Sequence, residues 1–66
     1  MAVLKVIEIL SNSTKGWEDA AQNAVTEASK TLRNIESIYI KNMEAKVDAN
    51  LIVEYRINAK ITFRID

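Results

Sequence analysis

Leu51-Ile-Val-Glu-Tyr-Arg-Ile-Asn-Ala-Lys-Ile-Thr-Phe-Arg-Ile-Asp66 closes the chain and alternates without a slip from Val53 onward. Val53, Tyr55, Ile57, Ala59, Ile61, Phe63 and Ile65 fall on one phase, and Glu54, Arg56, Asn58, Lys60, Thr62, Arg64 and Asp66 on the other. Period-two alternation rich in β-branched and aromatic residues predicts a strand with one buried and one polar face. Such a strand would run to about 45 Å. A compact chain of this length has a radius of gyration of about 11 Å, hence a diameter of about 28 Å. The strand is longer than the body meant to contain it, so it either bends around something or ends on a partner chain.

Immediately upstream, Asp48-Ala49-Asn50 predicts a short hairpin loop, with Asn50 best able to take the left-handed conformation of a three-residue turn. Ile35 to Val47 is the preceding strand, its apolar content supplied by Ile38, Tyr39, Ile40, Met43 and Val47. Pairing Val47 with Leu51 sets Asn42 opposite Arg56 and Ser37 opposite Ile61. Before that strand, Trp17, Ala20, Ala21, Ala24, Val25, Ala28 and Leu32 make a single helical stripe. The stripe predicts a helix over Thr14 to Asn34, with Ser13 or Thr14 as N-cap. Glu18 and Asp19 sit in its first turn and Lys30 and Arg33 in its last, which suits the macrodipole. Its alanines let it lie close to a sheet but bury little area themselves.

The N-terminal stretch Ala2 to Leu10 reads as a first strand. Lys5, Ile7 and Ile9 point one way, and Leu4, Val6, Glu8 and Leu10 the other. A strand apolar on both faces needs cover on both, and one helix supplies only one. The order is β-α-β-β, an α+β fold with one helix on an antiparallel sheet, in a single domain spanning 1–66. No internal repeat, linker or low-complexity segment interrupts it.

Composition narrows the function. At 66 residues a single core seldom stabilises a fold by more than about 3–5 kcal/mol without further support. With neither cysteine nor histidine, disulfides and zinc sites of the usual Cys/His kind are excluded. Self-association is the support that remains, and 48% hydrophobic content suits it. Nine basic residues balance nine acidic ones, so no long-range field draws the protein to nucleic acid or to an anionic membrane. No segment approaches the ~20 apolar residues that span a bilayer, and the N-terminal run lacks the features of a signal peptide. The expectation is a soluble, cytoplasmic protein.

Catalytic chemistry is scarce. The commonest general base and the commonest strong nucleophile are missing with His and Cys, and the only glycine, Gly16, makes no phosphate loop. Glu44, Glu54 and Asp66 lie among other charges on solvated phases, where they read as surface carboxylates. A cation site assembled from carboxylates of several chains around a symmetry axis stays open, since one chain's sequence would not show it. Trp17 reads as packing at the end of the core or in a subunit contact, or as a stacking surface for a planar ligand. Tyr39 and Tyr55 read as core or interface residues, and Arg56 as a solvated or ion-paired side chain.

Three pieces of sequence together carry a resemblance: the S-T-x-G-x-E-x-A-A helix start at Ser13 to Ala21, the T-L-R-N-I helix end at Thr31 to Ile35, and E-Y-x-I-x-x-x-I-x-F from Glu54 to Phe63. In order, spacing and total length, from Val3 to Ile65, the chain resembles the dodecins. That resemblance implies a protomer whose three-stranded sheet wraps its helix, assembled with eleven copies of itself into a hollow homododecamer that binds a small ligand or an ion and is not an enzyme. Typical dodecins hold flavin (FMN or riboflavin) between subunits, with a second-strand tryptophan stacked on the ring and a third-strand glutamine at its polar edge. Carried over by position, the tryptophan falls at Ser37 and the glutamine at Arg56, so both flavin contacts are replaced here. Trp17, followed by Glu18, Ala20 and Ala21, is similar to the helix start of the flavin-free, calcium-associated branch, which implies calcium as the alternative ligand without identifying its ligating residues.

Overall fold

A computed structural model describes residues 2–65. Its elements are β1 (Leu4–Ser13), α1 (Trp17–Ala28), β2 (Ile35–Asp48) and β3 (Leu51–Arg64), in the expected β-α-β-β order. The alternating strand β3 is the centre of the sheet, which is antiparallel throughout in the order β1-β3-β2. Asp66, taken above as the strand's last residue and one of its carboxylates, lies outside the described residues.

The apolar phase of β3 faces the helix. Ile57, Ala59, Ile61 and Phe63 are buried there, opposed by Ala20 and Ala24 of α1. Ala21, Ile38 and Ile40 pack around this cluster. The two outermost members of the phase, Val53 and Ile65, are exposed instead, because the helix covers only the middle of the strand. Twelve helical residues rise about 18 Å, whereas the molecule measures 51 × 20 × 13 Å. Its radius of gyration of 13.5 Å exceeds the ~11 Å of a compact chain. The long strand is thus accommodated by elongation, with the β2–β3 hairpin projecting past the helix.

Several expectations need correction. The helix is shorter than Thr14–Asn34. It begins at Trp17, with Gly16 rather than Ser13 or Thr14 at the N-cap and no side chain capping it. Ser13 is used differently: buried, it donates to Asp19 Oδ2 at 2.6 Å and accepts the Lys15 amide at 2.9 Å. Ser11, which continues β1 past the expected end at Leu10, donates to the Ala20 carbonyl at 2.7 Å. At the other end the backbone tightens after Ala28: Lys30 and Thr31 bond to carbonyls three residues back, and Ser29 Oγ bonds the Thr26 carbonyl. Hydroxyl side chains that compete for backbone carbonyls end helices in this way, so Lys30 and Arg33 fall outside the last turn.

The hairpin loop is also tighter than expected. Asp48 pairs with Leu51, leaving a two-residue turn of Ala49 and Asn50, at φ 51° and 66°. Positive φ at both positions matches the right-handed twist of the flanking strands. Register then shifts at Glu36 and Lys41 of β2 and at Val53 of β3, each an extra residue without a partner. Consequently Arg56 faces Glu44 rather than Asn42, and Ser37 faces Thr62 rather than Ile61.

Candidate functional site

The sheet surface turned away from the helix carries both residues singled out from the sequence. The bulge at Lys41 makes this so. Ser37 and Glu44 are an odd number of positions apart and would point oppositely along an unbroken strand, but one inserted residue restores a common face. Ser37 therefore shares the outer face with Tyr39, Asn42 and Glu44 of β2, with Arg56, Asn58, Lys60 and Thr62 of β3, and with Val6, Glu8, Leu10 and Asn12 of β1.

Within one chain the structure does not bring Ser37 and Arg56 together. Thr62, the partner of Ser37, lies six residues along β3 from Arg56, which is about 20 Å. Arg56 is already engaged: its Nε donates to Asn12 Oδ1 at 2.8 Å, and its terminal nitrogens lie 3.6 Å from Glu44 and 4.0 Å from Glu54. A guanidinium held by three side chains offers little to a ligand's polar edge, and it has no acceptor to replace an amide oxygen. Ser37 is exposed and provides no aromatic face. Tyr39, exposed on the same face two residues further on, is the nearest ring to Ser37 along the strand.

A second group lies nearer the middle of the sheet. Lys41, redirected by the bulge, reaches Glu8 across the central strand at 3.4 Å. Its hydrogen bond and charge, helped by a hydrogen bond from Asn58 and the charge of Lys60, hold the Glu8 carboxyl below its ordinary value of 4.5. Asn58 Oδ1 is buried and has no hydrogen-bond partner among the described residues. Arg64 and Glu36 pair at 3.8 Å near the other end. Among the described residues no group of three or more His, Cys, Asp or Glu is placed to hold a metal ion, and no helix is long and apolar enough to cross a membrane.

Trp17 has a packing role. Its ring meets Tyr55 edge to face, with centroids 4.9 Å apart, and its indole N–H donates to the Glu44 carbonyl at 3.0 Å. The helix start is thereby tied to edge strand β2, at the residue whose carboxylate pairs with Arg56. Sequence reading left open whether Trp17 packs or stacks on a ligand; its polar contact with Glu44 is 27 residues away in sequence and follows only from the fold.

Comparison with known proteins agrees with this architecture. The Dodecin family model matches residues 3–66. The calcium dodecin of Mycobacterium tuberculosis is 32% identical over 65 residues, covering 98% of this chain and 92% of that protein. Its solved structure, described as a calcium-chelating antigen with a novel calcium-binding site, superposes with a TM-score of 0.83 at 31% identity, covering 98% of this chain and 93% of that one. The dodecin of Thermus thermophilus is 30% identical over 64 residues, covering 97% of this chain and 93% of that protein. The structure of the dodecin from Streptomyces coelicolor superposes with a TM-score of 0.92 at 26% identity, covering 98% and 93% of the two chains. With strand order, helix placement and nearly the whole length matched, this chain belongs to the dodecin family.

Proposed function

We propose that the chain is a non-enzymatic, self-assembling small-ligand binding and storage protein, built as a homododecamer, whose ligand sites form between copies on the outer sheet face. The observation that carries this reading is that Ser37 and Arg56 share that face yet stand about 20 Å apart. Contact between copies is what would bring one protomer's Ser37 near another's Arg56. Twelve large apolar side chains exposed among the described residues, including Leu4, Val6, Leu10 and Tyr39 of the outer face, support such contact. The replaced contacts make flavin a weak ligand here.

A second reading, a flavin-free assembly that binds calcium, draws on the similarity to the M. tuberculosis calcium dodecin. It requires carboxylates from more than one copy, since none cluster among the described residues of one chain.

Size-exclusion chromatography with light scattering and a visible spectrum across the peak, followed by separate titrations with FMN and calcium, tests both. A mass near twelve protomers with measurable flavin binding supports storage. The same mass with no response to FMN and a saturable response to calcium transfers the function to the second reading, and a monomer refutes both.

A further inference from the structure

We propose that the groove between α1 and β1 is a second small-molecule site, one that takes an apolar body carrying an ammonium group. It lies on the helix side of the sheet. It is therefore distinct from the ligand sites placed above on the outer face and does not depend on them.

The groove follows from the short side chains of the helix and from the position of β1. Ile7 and Ile9 share the phase of Ile61 and Ala59, which faces the helix. Ile61 and Ala59 are fully buried, but Ile7 and Ile9 are only partly covered. Ala24 and Ala28 reach toward them with single methyl groups, and β1 is a sheet edge with no further strand beside it. The space left between them is about 600 Å³, within the range of about 300–1,000 Å³ that small-molecule clefts occupy. Its floor and strand wall are apolar, so an apolar body would be drawn out of water there.

The rim selects the polar end. Asn23, Glu27 and Thr31 all border the groove and follow one another at four-residue intervals, which sets them in a single ridge about 12 Å long. The Asn23 amide donates to Asp19 Oδ2 at 3.3 Å, which leaves its carbonyl oxygen as an acceptor. Glu27 pairs through Oε2 with Lys30 at 3.0 Å, but both side chains are largely exposed. So exposed a pair is weak, and Oε1 is left for a ligand. Among the described residues no lysine or arginine borders the groove. The rim is thus a row of acceptors with one negative charge, although the chain as a whole is neutral. An ammonium group meets these acceptors with its N–H donors while its apolar body rests on the two isoleucines; a carboxylate in the same place would meet Glu27.

Naphthylmethylamine, naphthylmethanol and naphthoate share one ring system and differ in charge. Each is titrated into the wild-type assembly by calorimetry, with methyl NMR spectra recorded alongside. The amine should bind saturably, roughly two- to fivefold more tightly than the alcohol, as an exposed ion pair allows, and naphthoate should bind most weakly. Ring-current shifts should centre on the methyls of Ile7, Ile9 and Leu32. Glu27→Gln alters an exposed side chain, so the fold should persist; it should remove the preference for the amine and leave the alcohol unchanged. Absence of saturable amine binding, equal or tighter binding of naphthoate, or shifts centred on Leu4 and Val6 of the outer face would each overturn the proposal. So would an amine preference that survives Glu27→Gln. None of these results bears on whether the outer face binds FMN or calcium, which the separate titrations decide.

Discussion

Restoring a stacking face at Ser37 is the most direct way to ask what the outer sheet face has lost. Ser37 is exposed, opposite Thr62 and next to the bulge at Glu36, so Ser37→Trp adds a ring without displacing buried atoms. An aromatic surface stacked on a planar heterocycle contributes about 1–3 kcal/mol by analogy with base stacking, which corresponds to roughly 5- to 150-fold in affinity. Arg56→Gln acts on the other contact. It removes the 2.8 Å bond to Asn12 and the longer pairs with Glu44 and Glu54. Because these side chains are substantially exposed, each pair contributes at most about 1 kcal/mol, and the protomer should survive. Quenching of FMN fluorescence measures the result: Ser37→Trp should tighten binding within the range above, and adding Arg56→Gln should tighten it further by supplying an acceptor. If an intact assembly of the double variant quenches no better than wild type, the two positions do not line the ligand site.

Ala49 holds φ 51° in the two-residue turn, a conformation that costs a residue with a Cβ roughly 1–2 kcal/mol. Ala49→Gly should therefore raise the thermal midpoint, read by circular dichroism at fixed protein concentration. Trp17→Phe keeps most of the apolar contact with Tyr55 but deletes the donor to the Glu44 carbonyl; a loss of about 0.5–1.5 kcal/mol in urea unfolding is expected, with no change indicating that the bond is spectator geometry. Glu8 titrates below 4.5 in the folded chain because of Lys41, Asn58 and Lys60. Its stabilising contribution is thus present above that value and lost as pH falls through the depressed one. Glu8→Gln should flatten the acid limb of the stability profile below pH 4.5, whereas a limb identical to wild type would place the acid sensitivity elsewhere.

Element order and type were legible because β3 and α1 carry strong, opposite periodicities: two residues from Val53 to Ile65, and the alanine stripe from Trp17 to Leu32. What the periodicities hide is where the backbone departs from them. Leu32 continues the helical stripe although the helix has ended at Ala28, since the following turns keep it near the same side. Likewise, bulges at Glu36, Lys41 and Val53 leave no mark in a pattern of apolar and polar residues that is already irregular in β2. Without the Lys41 bulge, counting along the strand put Ser37 and Arg56 on opposite faces; with it they share one. The arginine's engagement with Asn12 was equally invisible, because it depends on β1 lying beside β3, with β2 on the other side.

The alanines that face the sheet have one further consequence. Ala20 and Ala24 are buried against β3, and with such short side chains between the two layers the whole molecule is 13 Å through its thinnest direction. They act as the spacer of a laminate. Enlarging either one lifts the helix away from the strand beneath it, so the thickness of the plate is set by two methyl groups.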